Sequence, residues 1–330
     1  MLIDAASAIV VESVVGSNVA YEYGSGIYLS DAGQDCVIAD NRFIDNLGAS
    51  KGGGLYLTNP TTTGGETLAR NEISRNVCSG SGGGIYLDVS AFPRILQNAI
   101  RDNQANGTEA YGGGISVAAY NFHPIPICEN EVSGNAAQVG GGMCFLNKSR
   151  AEVSRNLVYC NRAVQNADPD DPPDPFPAAY AGGILVTDSD VRLLHNTITQ
   201  NTGFWQGVGV PRPQIGQPPR SVASAYHQGG GINFDYPGAV PEFLDNIIAG
   251  NTGWEYFQDA WDDGVILDYN LLFDSIDMGS LFSPAATPGS NNVLLLDPLF
   301  EQASCAPASG WDAFALEPGS PATGAASDAL

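Results

Sequence analysis

Three of the chain's four tryptophans, Trp205, Trp254 and Trp261, fall in one stretch that also holds Tyr256, Arg220 and His227. Flat aromatic faces stack on sugar rings, and carboxylates and amides bond sugar hydroxyls. These residues suit a carbohydrate-binding cleft. The same rings would serve equally well to pack long loops onto a scaffold, because large loops need a small core of their own. Upstream, Asp168, Asp170, Asp171 and Asp174 are interleaved with prolines. Such a cluster offers the hard oxygen ligands that calcium takes, but no glycine or glutamate falls where an EF-hand needs one. A hydrated acidic loop has the same composition.

Catalytic chemistry is less legible. Abstracting the proton beside a uronate carboxylate needs a base and a neutralising cation. The supply is Lys51, Lys148 and the arginines, with Arg162, Arg212, Arg220 and His227 near the aromatic stretch. No spacing selects one of them. Glycoside hydrolysis needs two carboxylates about 5–9.5 Å apart. Asp262 and Asp263 are only sequence neighbours. No GxSxG, HExxH or phosphate loop occurs. The three histidines, His123, His195 and His227, fall on different repeats and suggest no shared metal.

The elements that must carry these residues follow from a repeat. Seven times an asparagine is followed five positions later by another: Asn41/Asn46, Asn71/Asn76, Asn98/Asn103, Asn130/Asn135, Asn156/Asn161, Asn196/Asn201 and Asn246/Asn251. Two steps after each first asparagine stands an apolar residue: Phe43, Ile73, Ile100, Val132, Val158, Ile198 or Ile248. Glycine clusters, such as Gly52-Gly53-Gly54 and Gly82-Gly83-Gly84, precede alternating segments such as Leu55-Tyr56-Leu57 and Ile85-Tyr86-Leu87. A further apolar position three residues before each first asparagine, from Ile38 to Phe243, marks another strand. Each unit therefore holds three short strands and three corners. Worn copies are visible at Ser13, Val15 and Asn18, and at Leu267 with Asn270.

A unit this short cannot enclose a core alone. Stacked units bury each inward column against its own copies, at about 4.8 Å per rung. No helical period is long enough to supply the crossovers that parallel strands otherwise need. The spacing predicts an all-β, right-handed parallel β-helix of about eight to nine three-strand rungs over residues 1–282. A capping tail follows over 283–330. Glycine is expected at corners needing positive φ. Asparagine is expected to tolerate the left-handed region and to stack amide on amide as a ladder. The outward column Tyr28, Tyr56, Tyr86 is expected to stack, chiefly as sheet support. A propeller is disfavoured: its blades are longer, and no Trp-Asp or kelch signature occurs.

The motif G-G-G-I-Y-L followed by N-x-I-x-x-N resembles the right-handed parallel β-helix repeat proteins of the pectate-lyase-like superfamily, over residues 13 to about 275. The segment Asp297-Pro298-Leu299-Phe300 and the run from Phe314 to Ala322 resemble the C-terminal portion of secreted bacterial members. The resemblance implies architecture, and it implies activity weakly, since fold does not dictate function.

Composition narrows the partners. A net charge of −23 disfavours nucleic acid and anionic membranes. No apolar run is long enough to span a bilayer. Met1 to Val15 lacks the basic start of a signal peptide, as expected of a chain with its signal removed or of a cytoplasmic protein. Six cysteines without metal spacing permit disulfides in an oxidising compartment. Segments after Asn161, Asn201 and Asn251 break the period and are expected to leave from one corner, forming one loop-covered flank. The function expected is an extracellular bacterial module, secreted or on the cell surface, that engages polysaccharide through that flank, with calcium as its one candidate cofactor. The alternative is a polysaccharide lyase or glycoside hydrolase acting in a groove there.

Overall fold

A computed structural model describes residues 1–4, 7–30, 36–58, 66–88, 91–107, 110–121, 123–164, 181–203, 229–235, 242–251, 254–258, 266–273, 291–294, 296, 298–300, 305 and 314–324. Three parallel sheets run the length of the coil, with nine, nine and ten strands. The first sheet begins Leu2–Asp4, Ile27–Ser30, Leu55–Thr58, the second Ile9–Val11, Val37–Ala39, Thr67–Ala69, and the third Val14–Gly16, Arg42–Ile44, Glu72–Ser74. Each strand pairs with its copy one rung on. Phe43, Ile73, Ile100, Val132, Val158, Ile198 and Ile248 thus form one vertical column in direct register. All seven are wholly buried. Ile27, Leu55, Ile85, Ile115, Met143, Ile184 and Ile232 form a second such column. Each buried aliphatic side chain contributes roughly 1.5–3 kcal/mol.

The asparagines form two ladders. Along one, the backbone N–H and Nδ2 of Asn76 both donate to Oδ1 of Asn103 (3.0 and 2.9 Å), and Nδ2 also donates to the Phe43 carbonyl (2.9 Å). The pattern repeats from Asn18 to Asn251, and the parallel ladder reaches Asn292, a step beyond the visible repeat. The asparagines themselves do not take the left-handed conformation expected of them. The residue before each one does: Asp40, Asp45, Arg70, Arg75, Gln97 and Asp102 have φ of 53–57°. The strain of the corner falls on an exposed residue, and the amide behind it is left free for the ladder. Glycine opens the other corner as expected, with φ of 55–72° at Gly24, Gly52, Gly82, Gly112 and Gly140. On the next rung Ala181 holds φ 58° where glycine is missing.

Two further features depart from the sequence reading. A fourth, four-stranded parallel sheet, Val77–Cys78 to Arg162–Ala163, lies between the third and first sheets. Residues 254–258, expected as loop, form the ninth strand of the first sheet, with Gly229 opposite Trp254 and Ile232 opposite Tyr256. The coil needs a first-sheet strand on every rung, and here it forms without a glycine cluster to announce it.

The C-terminal residues take two positions. Val293–Leu294 adds the tenth strand to the third sheet. Phe300 and Phe314 pack against Leu157 and Tyr159 on that sheet's outer face, and Cys160 is joined to Cys305 by a disulfide. Among the described residues no helix is long and apolar enough to cross a membrane.

Candidate functional site

The first sheet's outer face carries a tyrosine stack. Tyr28 and Tyr56 lie 5.2 Å apart between ring centroids, and Tyr56 and Tyr86 5.5 Å apart and nearly parallel. Tyr23, from the corner, joins at 4.6 Å from Tyr56. Register imposes this, since the three outward tyrosines are direct partners on successive strands. Tyr56 and Tyr86 are each only 4% exposed, so their faces are spent on one another. The expected role as sheet support fits these two. The Tyr56 hydroxyl donates to Asp88. Burial first, and that carboxylate second, push its phenol well up.

Where the column steps from Tyr86 to Ser116, and from Asp88 to Ala118, the side chains shrink and an open groove of about 390 Å³ forms. One edge comes from the corner column just before the glycine clusters: Lys51, Ser81 and Tyr111. The opposite edge is Asn147, Thr187 and Asp188, over a floor of Ala118 and Leu146. Asn147, Lys148 and Asp188 all have positive φ, of 58°, 60° and 43°. Asn and Asp adopt this conformation readily, so the cost, about 1–2 kcal/mol for an ordinary residue, falls on Lys148. The Lys51 ammonium lies 4.7 Å over the Tyr86 ring. Burial works against its charge, but the hydrogen bond to Tyr86 and the nearby Asp88 outweigh burial and hold it above its ordinary value.

Of the residues singled out in the sequence, Trp205, Arg212, Arg220, His227, Trp261, Asp262 and Asp263 lie outside the described residues, as do Asp168, Asp170, Asp171 and Asp174. Trp254 and Tyr256 stand on the first sheet's last strand. The segments 165–180 and 204–228 both leave where the third sheet passes to the first, at positions stacked by the Arg162–Thr202 bridge. Residues 259–265 follow the first-sheet strand and leave at its other edge. The three interruptions therefore do not share one corner. They attach to the two edges of the first sheet, on either side of its outer face. Among the described residues no group of three or more His, Cys, Asp or Glu side chains is placed to hold a metal.

Most described arginines are engaged along the coil, as in Arg42–Glu72, Arg70–Asp40, Arg75–Asp45 and Arg192–Glu242. Sequence reading passed over the groove. Its one signal was the variable residue before each glycine cluster, Tyr23, Lys51, Ser81, Tyr111, Val139, in an otherwise monotonous repeat.

A family model described as the right-handed β-helix region matches residues 4–121. The chain is a right-handed parallel β-helix. The matched residues span the first turns of this β-helix, including Lys51, Ser81, Tyr86 and Tyr111. No curated protein and no solved structure matches the chain.

Proposed function

We propose that the first sheet's outer face engages glycan, and that the β-helix serves as a binding or adhesion module outside the cell. The observation that carries this is the open groove at the end of a tyrosine column, with polar groups on both rims and an apolar floor. Rigid scaffolds with aromatic and hydroxyl-bonding side chains in a concave surface are the usual setting for such ligands. The Cys160–Cys305 disulfide supports secretion or display at the cell surface, where such bonds persist. Calcium at Asp168, Asp170, Asp171 and Asp174 belongs to the same proposal, and a calcium-dependent rise in Tm, lost in Asp170→Asn, would support it.

Catalysis is the second reading, as a polysaccharide lyase or glycoside hydrolase. Among the groove's described lining residues Lys51 is an ammonium held above its ordinary value and poorly suited to abstract a proton at neutral pH, and Asp188 is a single carboxylate where glycoside hydrolysis needs two. Binding is therefore preferred. On a glycan array the wild-type protein is expected to retain polysaccharide. Trp205→Ala with Trp254→Ala, and separately Tyr111→Ala, are expected to weaken that retention. Unchanged signals in both would remove the face from consideration. Unsaturated product from uronate polymers would restore the lyase.

A further inference from the structure

We infer that the groove takes a neutral saccharide chain and discriminates against polyuronates, an inference that rests on the reading of this face as a glycan surface. The argument is one of charge. Along the outer face of the first sheet the carboxylates include Asp4, Asp88 and, at the groove rim, Asp188. The groove's cation, Lys51, lies 4.7 Å over the Tyr86 ring. Lys148, next along the rim from Asn147, is exposed and is not among the residues that line the groove. The cross-rung arginine pairs, such as Arg42–Glu72 and Arg101–Glu131, lie on the other two sheets.

A polyuronate brings one carboxylate per sugar. Meeting Asp188 about 4 Å away costs between about 1 and 4 kcal/mol as the effective dielectric falls from water's to that of a protein surface. That is about fivefold to several hundredfold in affinity. The chain's net charge of −23 adds repulsion that reaches about a Debye length, 8–10 Å. A neutral sugar meets none of this. Its hydroxyls find an acceptor in Asp188, donors and acceptors in Ser81, Asn147 and Thr187, and its C–H face finds Tyr111 and Leu146.

The test is calorimetric titration of the whole chain with cellohexaose, mannohexaose and xylohexaose, and with hexagalacturonate and oligoguluronate, at low and high salt. Binding of at least one neutral oligosaccharide, unaffected by salt and at least about tenfold tighter than either uronate, is expected. Tyr111→Ala should weaken it about tenfold, the order of one lost stacked ring. Thr187→Ala, a milder change, guards against misfolding of the first variant and should weaken it in the same direction. Asp188→Lys should raise uronate affinity, most at low salt. A wild-type preference for a uronate would overturn this inference and leave the glycan face standing. Binding of neither class would overturn both.

Discussion

At the scale of single residues, the buried amide ladder carries the strictest requirement. Removing the Asn103 side chain deletes its bonds to the Ile73 carbonyl and Asn135, and leaves Asn76 without its acceptor. A buried polar group left unmade costs about 1–3 kcal/mol. Asn103→Ala should therefore destabilise by roughly 3–5 kcal/mol in urea unfolding, because more than one group is orphaned. Asn18→Ala, at the exposed end of the same ladder, should cost less than about 1 kcal/mol, since water replaces the lost partner. Equal losses would refute the ladder as a stabilising device. Ala181 offers the opposite case. Its φ of 58° is a glycine conformation held by alanine. Ala181→Gly should raise stability by about 0.5–1 kcal/mol despite the added freedom of the unfolded chain. Gly84→Ala should lower it, because a Cβ there would meet the Gly114 carbonyl oxygen at 2.6 Å.

At the scale of elements, the third sheet's outer face explains where the tail lies. Its two outward columns carry Arg42, Glu72, Ser74 and Arg101 on early rungs and gain Leu157, Tyr159, Ala249 and Leu271 on later ones, with Thr197 and Thr199 between. The apolar part is buried although it faces away from the coil's interior. Phe300 and Phe314 settle at the boundary, beside the Cys160–Cys305 bond. Removing a disulfide from a folded chain costs about 2–5 kcal/mol. Cys305→Ser should make the tail sensitive to limited proteolysis while the circular dichroism of the coil persists. A tail equally resistant without the bond would mean that the aromatic contacts alone suffice.

The rung-to-rung ion pairs give the elements a dependence on pH. Arg42 holds the Glu72 carboxyl below its ordinary value of 4.5, against the effect of burial, and Arg70 and Arg75 do the same for Asp40 and Asp45. Because each folded value lies below the unfolded one, the stabilisation is complete above the unfolded value and disappears as pH falls through the folded one. The urea midpoint should therefore decline below about pH 4.5, less steeply in Arg42→Met. An acid limb unchanged by that substitution would exclude the pair as a contributor.

At the scale of the whole molecule, the coil is a one-dimensional stack in which each rung leans on its neighbours. The first rung has a neighbour on one side only among the described residues, and its outward Ile9, Val14 and Val19 are 64–74% exposed. Amide hydrogen exchange should be fastest in Leu2–Asp4, Ile9–Val11 and Val14–Gly16 and slowest near Ile100 and Val132. Uniform protection along the coil would show that it unfolds as a single unit.

The inward columns and the rungs they define were legible in the linear chain, because a residue's vertical neighbour is its own copy in the next repeat. The same logic revealed both asparagine ladders and the tyrosine stack. It could not show which corner residue bears the positive φ. That depends on where the amide is needed, and the ladder claims the asparagine and leaves the turn to Asp40, Arg70 and their equivalents. Nor could it show the groove, whose rims come from Lys51, Ser81 and Tyr111 on one corner and Asn147 and Asp188 on another. These positions vary between repeats, so no period points to them. Only closure of the coil, with a small Ala118 following Asp88 in the stack, brings them around one open space.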